Sequence, residues 1–201
     1  VRHKGVGKEE TKRKVVEAAG HGFRKHGYSG IGVDGLAKAA GVTSGAFYSH
    51  FGSKGGAFDV ALDVGLDEVI DGVAIFQNKH GADWVEAFAQ YYLGRSHRGN
   101  LKTGCAMATL TPDVVRSSPE VHTAYEKKMT QIVDLISSGL AGGSDEDRRV
   151  RAWALLGVLI GGINVARAMK SVKASDEVAK AIIMSAVKAA GRARSTAPDA
   201  P

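Results

Sequence analysis

Between Val33 and Phe51 the chain has room for two short helices and only three residues, Gly41-Val42-Thr43, to join them. Gly41 has no Cβ and can take the positive φ that turns the backbone sharply, and Val42 plugs the corner. Leu36, Ala37 and Ala40 give the first helix an inward face, on which the small alanines let the second helix approach. Thr43 or Ser44 caps the second helix, whose inner face is Phe47 and Phe51. Its outer face offers Ser44, Gly45, Tyr48 and Ser49, slim enough apart from the tyrosine to enter a groove about 12 Å wide. The same pattern also occurs in plain helical bundles, where it reads nothing.

Charge is distributed as a nucleic-acid contact requires. Residues 1–55 hold ten Lys/Arg against four Asp/Glu, while the remaining 146 residues balance at 17 of each. All of the formal +6 therefore lies in the first quarter, and cations gathered at one end are what phosphate binding needs. A solubilising basic end has the same composition. Within it, Lys4, Lys8, Lys12, Arg13 and Lys14 form either an arm and helix end that touch DNA backbone or minor groove, or a solvated face.

The rest of the chain is punctuated as helix, and the expected fold class is all-α. Val15, Ala18, Ala19, Gly22 and Phe23 fall on one face of a helix from about Glu9 to His26, with Gly27 at its C-terminal cap. After the two short helices, about Val33–Ala40 and Ser44–Phe51, a long one runs from Ser53 or Lys54 to about Gln77 on the stripe Phe58, Leu62, Val69, Val73, Phe76. Gly65 and Gly72 weaken that helix or let it bend. Further helices read as Asp83–Ser96, Cys105–Leu110, Pro119–Leu140, Asp145–Lys170 and Asp176–Arg192, the last three started by Ser118, Ser144 and Ser175. That makes nine, followed by a frayed tail.

With the corner residues in place, the fuller string becomes specific. Gly27-Tyr28, Val33-Asp34-Gly35-Leu36-Ala37 and Gly41-Val42-Thr43-Ser44-Gly45-Ala46-Phe47-Tyr48-Ser49-His50-Phe51-Gly52-Ser53-Lys54 strongly resemble the tetracycline-repressor (TetR/AcrR) family of bacterial transcriptional regulators. The resemblance is specific over about residues 9–60, and beyond that only the length and helical character match. It implies a three-helix helix-turn-helix DNA-binding domain over 1–53, a six-helix ligand-binding and dimerisation domain over 54–193 and a flexible tail over 194–201. It also implies a homodimer on a palindromic double-stranded DNA operator, controlled by a small-molecule effector. Carried over by position, Thr43, Ser44, Gly45, Ala46 and Ser49 face base edges, and Tyr48, His50 and Lys54 contact phosphates. A phenol, an imidazole and an ammonium are suitable phosphate donors, although His50 equally suits the core behind the recognition helix. The chain departs from the pattern at Gly32, where Ser or Thr usually caps the second helix, and at Gly35, which replaces a larger polar residue. No Arg, Asn or Gln stands on the recognition face, so direct readout is expected to be sparse, with hydroxyl contacts, thymine-methyl contact by Ala46 and DNA shape doing more.

In the body, Ala152–Met169 is apolar nearly all round, which calls for burial by its own core on one side and by a partner on the other. With Val178, Ile182 and Val187 of the last helix it suits a four-helix interface between two copies, the arrangement the resemblance also implies. A central core helix is the alternative. Trp84, Phe88, Tyr91, Tyr92, Cys105, Met107, Tyr125 and Met129 are candidates to line a ligand cavity, each of them also an ordinary core residue.

No enzyme is expected. The seven histidines lack metal-site pairing, no nucleophile-elbow serine stands near them, and lone Cys105 suits packing better than a redox switch. No cofactor, metal or membrane partner is expected either. The longest uncharged stretch, Ala152 to Ala166, is 15 residues, short of the roughly 20 that span a bilayer. The first residues run into charge rather than an apolar segment, so a soluble, cytoplasmic protein is anticipated. The competing reading is a helical small-molecule-binding or protein-interaction module without sequence-specific DNA binding.

Overall fold

The structure, a computed structural model, describes residues 4–194, with side-chain surroundings from Glu10 onward. The expected tail beyond residue 194 lies outside the described residues, as do the side chains of Lys4 and Lys8. Ten α-helices follow one another, with no strand among the described residues: α1 (Lys4–His26), α2 (Val33–Ala40), α3 (Ser44–Phe51), α4 (Lys54–His80), α5 (Trp84–Tyr92), α6 (Arg95–Gly99), α7 (Ala106–Val114), α8 (Pro119–Ser138), α9 (Asp145–Ala168) and α10 (Val172–Ala190). A single 3-10 turn, Gly81–Asp83, joins α4 to α5.

This is the all-α layout that the punctuation predicts, and α2 and α3 have the predicted bounds. Three details differ. The helix expected over Asp83–Ser96 is two, because the chain leaves helical geometry at Leu93-Gly94, where Gly94 is extended. The third-from-last helical start stays at Pro119, but α7 continues past Leu110 to Val114 with Pro112 inside it. The last helix starts at Val172, capped by Ser171, whose hydroxyl accepts from the Ala174 amide at 3.1 Å. Ser175 is not the cap; it accepts a hydrogen bond from Arg98 Nη1 instead.

The chain divides into two compact units. The first comprises Val1–Leu66 and Leu101–Tyr125, the second Asp67–Asn100 and Glu126–Pro201. In the first, Val15, Ala19 and Phe23 of α1 are buried with Leu36, Phe47, Phe58, Leu62 and, from α7, Met107 and Leu110. Phe23, Tyr28 and Phe58 pack edge-on and stacked with centroids 5.3 to 5.9 Å apart. Each such side chain taken from water contributes about 1.5–3 kcal/mol. Gly22 is required where α1 meets α2, since a Cβ there would stand 2.6 Å from Leu36 Cδ2. Gly65 plays the same part on α4. A Cβ would meet Ala106 Cβ at 2.7 Å and Arg24 Nη2 at 2.8 Å, so close packing explains a glycine that helix propensity alone disfavours. Asp113 of α7 accepts from the Tyr28 amide at 2.9 Å and so holds the loop that follows α1.

In the second unit, Trp84, Phe88 and Tyr92 of α5 are buried with Ile132, Val133 and Ile136 of α8 and the inner row Leu155, Leu156, Leu159, Ile163 of α9. Trp84 Nε1 donates to the Gly139 carbonyl at 3.0 Å and Gln77 Nε2 to the Leu135 carbonyl at 2.9 Å, so the polar tips of buried side chains are satisfied by backbone. Arg151 ties the chain ends of the helices together, donating to the carbonyls of Ala141, Gly142 and Ala190 at 2.7 to 3.0 Å. Gly162 lets α9 and α10 close up, because a Cβ would lie 2.3 Å from Ile182 Cγ2. The outer row of α9 is left exposed: Val150, Trp153, Gly157, Gly161 and Val165. By length and composition α9 is the one described helix apolar enough to cross a membrane, and its inner row is core.

Candidate DNA-binding interface

The corner between α2 and α3 is built as its residues require. Gly41 sits at φ 69°, ψ 30°, its amide donating to Lys38 at 3.1 Å while the Val42 amide donates to Ala37 at 3.0 Å. These bonds close the end of α2 over a left-handed residue, a conformation that costs glycine little. Of the two residues that can cap α3, Thr43 does so. It is extended, at φ −78° and ψ 157°, and its Oγ1 accepts from the Ala46 amide at 3.1 Å. At the other end of α2, Gly32 makes no side-chain cap, the deficit expected of a glycine there.

Ser44 is thereby free for another contact, and its Oγ donates to Asp34 Oδ1 at 2.6 Å. This bond links the first turns of α2 and α3, a tie that sequence reading missed; the signal was a carboxylate in the first turn of a helix with no cap. Ser49 Oγ donates back to the Gly45 carbonyl at 3.0 Å. Phe47 is fully buried, 4.9 Å from Phe51 by ring centroids, which rotates the opposite face of α3 outward. Thr43, Gly45, Tyr48 and Ser49 are exposed on that face, with Ser44 and Ala46 half-buried at its margin. The tyrosine projects furthest and is 50% exposed.

Two other basic candidates differ in their surroundings. His50 is half-buried beside Phe51, at 6.4 Å between ring centroids, so both of its sequence readings keep a physical basis. Lys54, the first residue of α4, holds its Nζ 4.5 Å from the centre of the Tyr28 ring. A cation over an aromatic face is oriented without being neutralised. Tyr28 is thus a positioning residue that the sequence string contained but did not single out. On α1, Lys12, Arg13 and Lys14 are exposed, and Lys14 pairs with Glu10 at 2.8 Å, its ammonium keeping that carboxyl below the usual range.

Residues 15–59, which span the second half of α1 through the start of α4, match the family model described as bacterial regulatory proteins, tetR family. Over this stretch the chain is similar to the TetR family. The match takes in the whole helix-turn-helix, the element with which regulators of that family bind DNA. Solved structures share the fold over nearly the whole chain. The reduced form of NemR from E. coli is 19% identical, with a TM-score of 0.73 over 94% of this chain and 100% of that one. SCO4454, a TetR-family transcriptional regulator from Streptomyces coelicolor, is also 19% identical, at 0.73 over 90% and 95%. A TetR-family regulator from Agrobacterium tumefaciens is 14% identical, at 0.72 over 88% and 97%. No curated protein sequence matches the chain significantly.

The candidate ligand residues are distributed over both units. In the second, Phe88, Tyr92 and Met129 are buried, whereas Tyr91 is 57% exposed, stacked on His97 at 5.3 Å and leaning on Phe76 at the same distance. Burial pushes the His97 imidazole below its usual value, against the opposing effect of its 2.7 Å bond with the Tyr92 carbonyl. In the first, Met107 is fully buried, and Cys105 and Tyr125 are half-buried. Tyr125 shares a 2.7 Å hydrogen bond with Thr111 Oγ1, and burial raises its phenol above the usual value.

Proposed function

We propose that the chain is a homodimeric one-component repressor that binds a palindromic operator through α3 and leaves it when a small molecule binds the body. In this reading 1–53 is the DNA-binding domain, 54–193 the ligand-binding and dimerisation domain, and the cytoplasm its compartment. The observation that carries it is the outward face of α3, slim, polar and fixed at its N-terminal end by Thr43 and by the bond from Ser44 to Asp34. Thr43, Ser44, Gly45, Ala46 and Ser49 take the base edges; Tyr48, His50 and Lys54 take phosphates. In the free chain the Ser44 and Ser49 protons are already donated to Asp34 and the Gly45 carbonyl. What these hydroxyls then offer is oxygen lone pairs, which suit the exocyclic amines of adenine and cytosine.

The exposed apolar row of α9, with Met184 of α10 66% exposed beside it, supports pairing of two copies through the last two helices. Phe88, Tyr91, Tyr92, Cys105, Met107, Tyr125 and Met129 are the proposed ligand contacts. Selection of bound sites from a random DNA pool tests the reading. Enrichment of an inverted repeat supports it. Failure to enrich any site favours instead a ligand-binding or protein-interaction module without sequence-specific DNA binding, the reading that a recognition face without Arg, Asn or Gln keeps open.

A further inference from the structure

Within the second unit, α6, the end of α9 and the first turn of α10 line an open cavity of about 270 Å³. Four cations line it, Arg95, Arg98, Arg167 and Lys170, against the single carboxylate of Asp176. Arg95 Nη2 reaches Asp176 Oδ2 at 2.5 Å, and Arg98 Nη2 reaches Oδ1 at 2.5 Å. Arg98 also donates to Ser175, and its side chain is only 7% exposed, with Nε buried and without a hydrogen-bond partner. Arg167 donates to the carbonyls of His97 and Arg98, at 3.0 and 3.2 Å. The lining is cationic on balance, and the positive end of the 19-residue α10 adds to the field. Like charges brought together out of bulk water repel unless an anion joins them.

We propose that this cavity binds a small organic dianion, a phosphate monoester or a dicarboxylate. Its oxyanion is held by Arg95, Lys170 and the α10 first turn over the buried Arg98, and its apolar part lies against Met169 and Val172. The apolar lining and the volume, near the lower end for small-molecule sites, favour an organic ligand over a bare ion. The proposal does not depend on DNA binding.

Calorimetric titration of the full chain with inorganic phosphate, glycerol 2-phosphate and succinate, at ionic strength held constant with sodium chloride, tests it. Saturable binding at one site per chain is expected, at least fivefold tighter for one of the organic dianions than for inorganic phosphate. Lys170→Ala, an exposed position, is expected to weaken that binding at least fivefold with an unchanged thermal midpoint. Asp176→Asn removes the competing carboxylate and is expected to strengthen it several-fold. Heats equal to those of sodium chloride for all three anions would overturn the proposal. So would binding that neither substitution changes, or tighter binding of inorganic phosphate than of either organic anion.

Discussion

At the scale of single residues, the recognition helix depends on side chains that are small and locally committed. Thr43→Ala removes the bond to the Ala46 amide and is expected to lower stability by about 1 kcal/mol; Thr43→Ser is expected to restore most of it, as read by denaturant midpoints. Lys54 is held over the Tyr28 ring. Its replacement by Ala is expected to weaken binding to matched and mismatched DNA alike. The slope of log affinity against log salt should become shallower by about 0.9 per lost phosphate contact. A loss of affinity confined to one sequence would instead make Lys54 a base-reading residue. Much of this site was legible in the sequence, because Gly41, Thr43 and Phe47 act through local geometry. Asp34 and Tyr28 were not singled out, since their partners Ser44 and Lys54 lie 10 and 26 positions away and spacing alone does not join them.

At the scale of elements, the sequence located helices well where their ends are closed locally and less well where distant groups intervene. Ser144 caps α9 as its acidic first turn predicts. Ser175, followed by Asp176 and Glu177, carries the same signal, but Ser175 and Asp176 are engaged by Arg95 and Arg98, 77 to 81 residues earlier, and the helix begins four positions sooner. Gly65 was also read partly for the wrong reason, since it is a contact point between helices before it is a weak helix former, and Gly162 is a second such contact point. Gly162→Ala must push Ile182 aside and is expected to cost about 1–3 kcal/mol; an unchanged unfolding midpoint would show that α10 shifts without penalty. The Arg95 and Arg98 bonds hold the Asp176 carboxyl at about 2, below its ordinary 3.8. Because the unfolded chain takes up this proton more readily, the contribution is full above about pH 4 and is lost as pH falls toward 2. Asp176→Asn should flatten that part of the stability profile, which thermal unfolding between pH 5 and 2 would show.

At the scale of the whole molecule, the proposal requires two chains for one operator. The inner row of α9 is core and its outer row is apolar and exposed, so a charge on the outer row should separate copies without unfolding either. Trp153→Glu is expected to sediment as a folded monomer where the parent chain sediments as a dimer; a parent chain that is monomeric at micromolar concentration would remove the interface. The central claim joins that dimer to the basic first quarter of the chain. The most direct test is to titrate the selected DNA site with the full chain at several salt concentrations, reading stoichiometry and affinity together. Two chains per inverted repeat, with affinity falling steeply as salt rises, are predicted. One chain per site, or affinity equal to that for unrelated DNA at every salt concentration, would contradict the account.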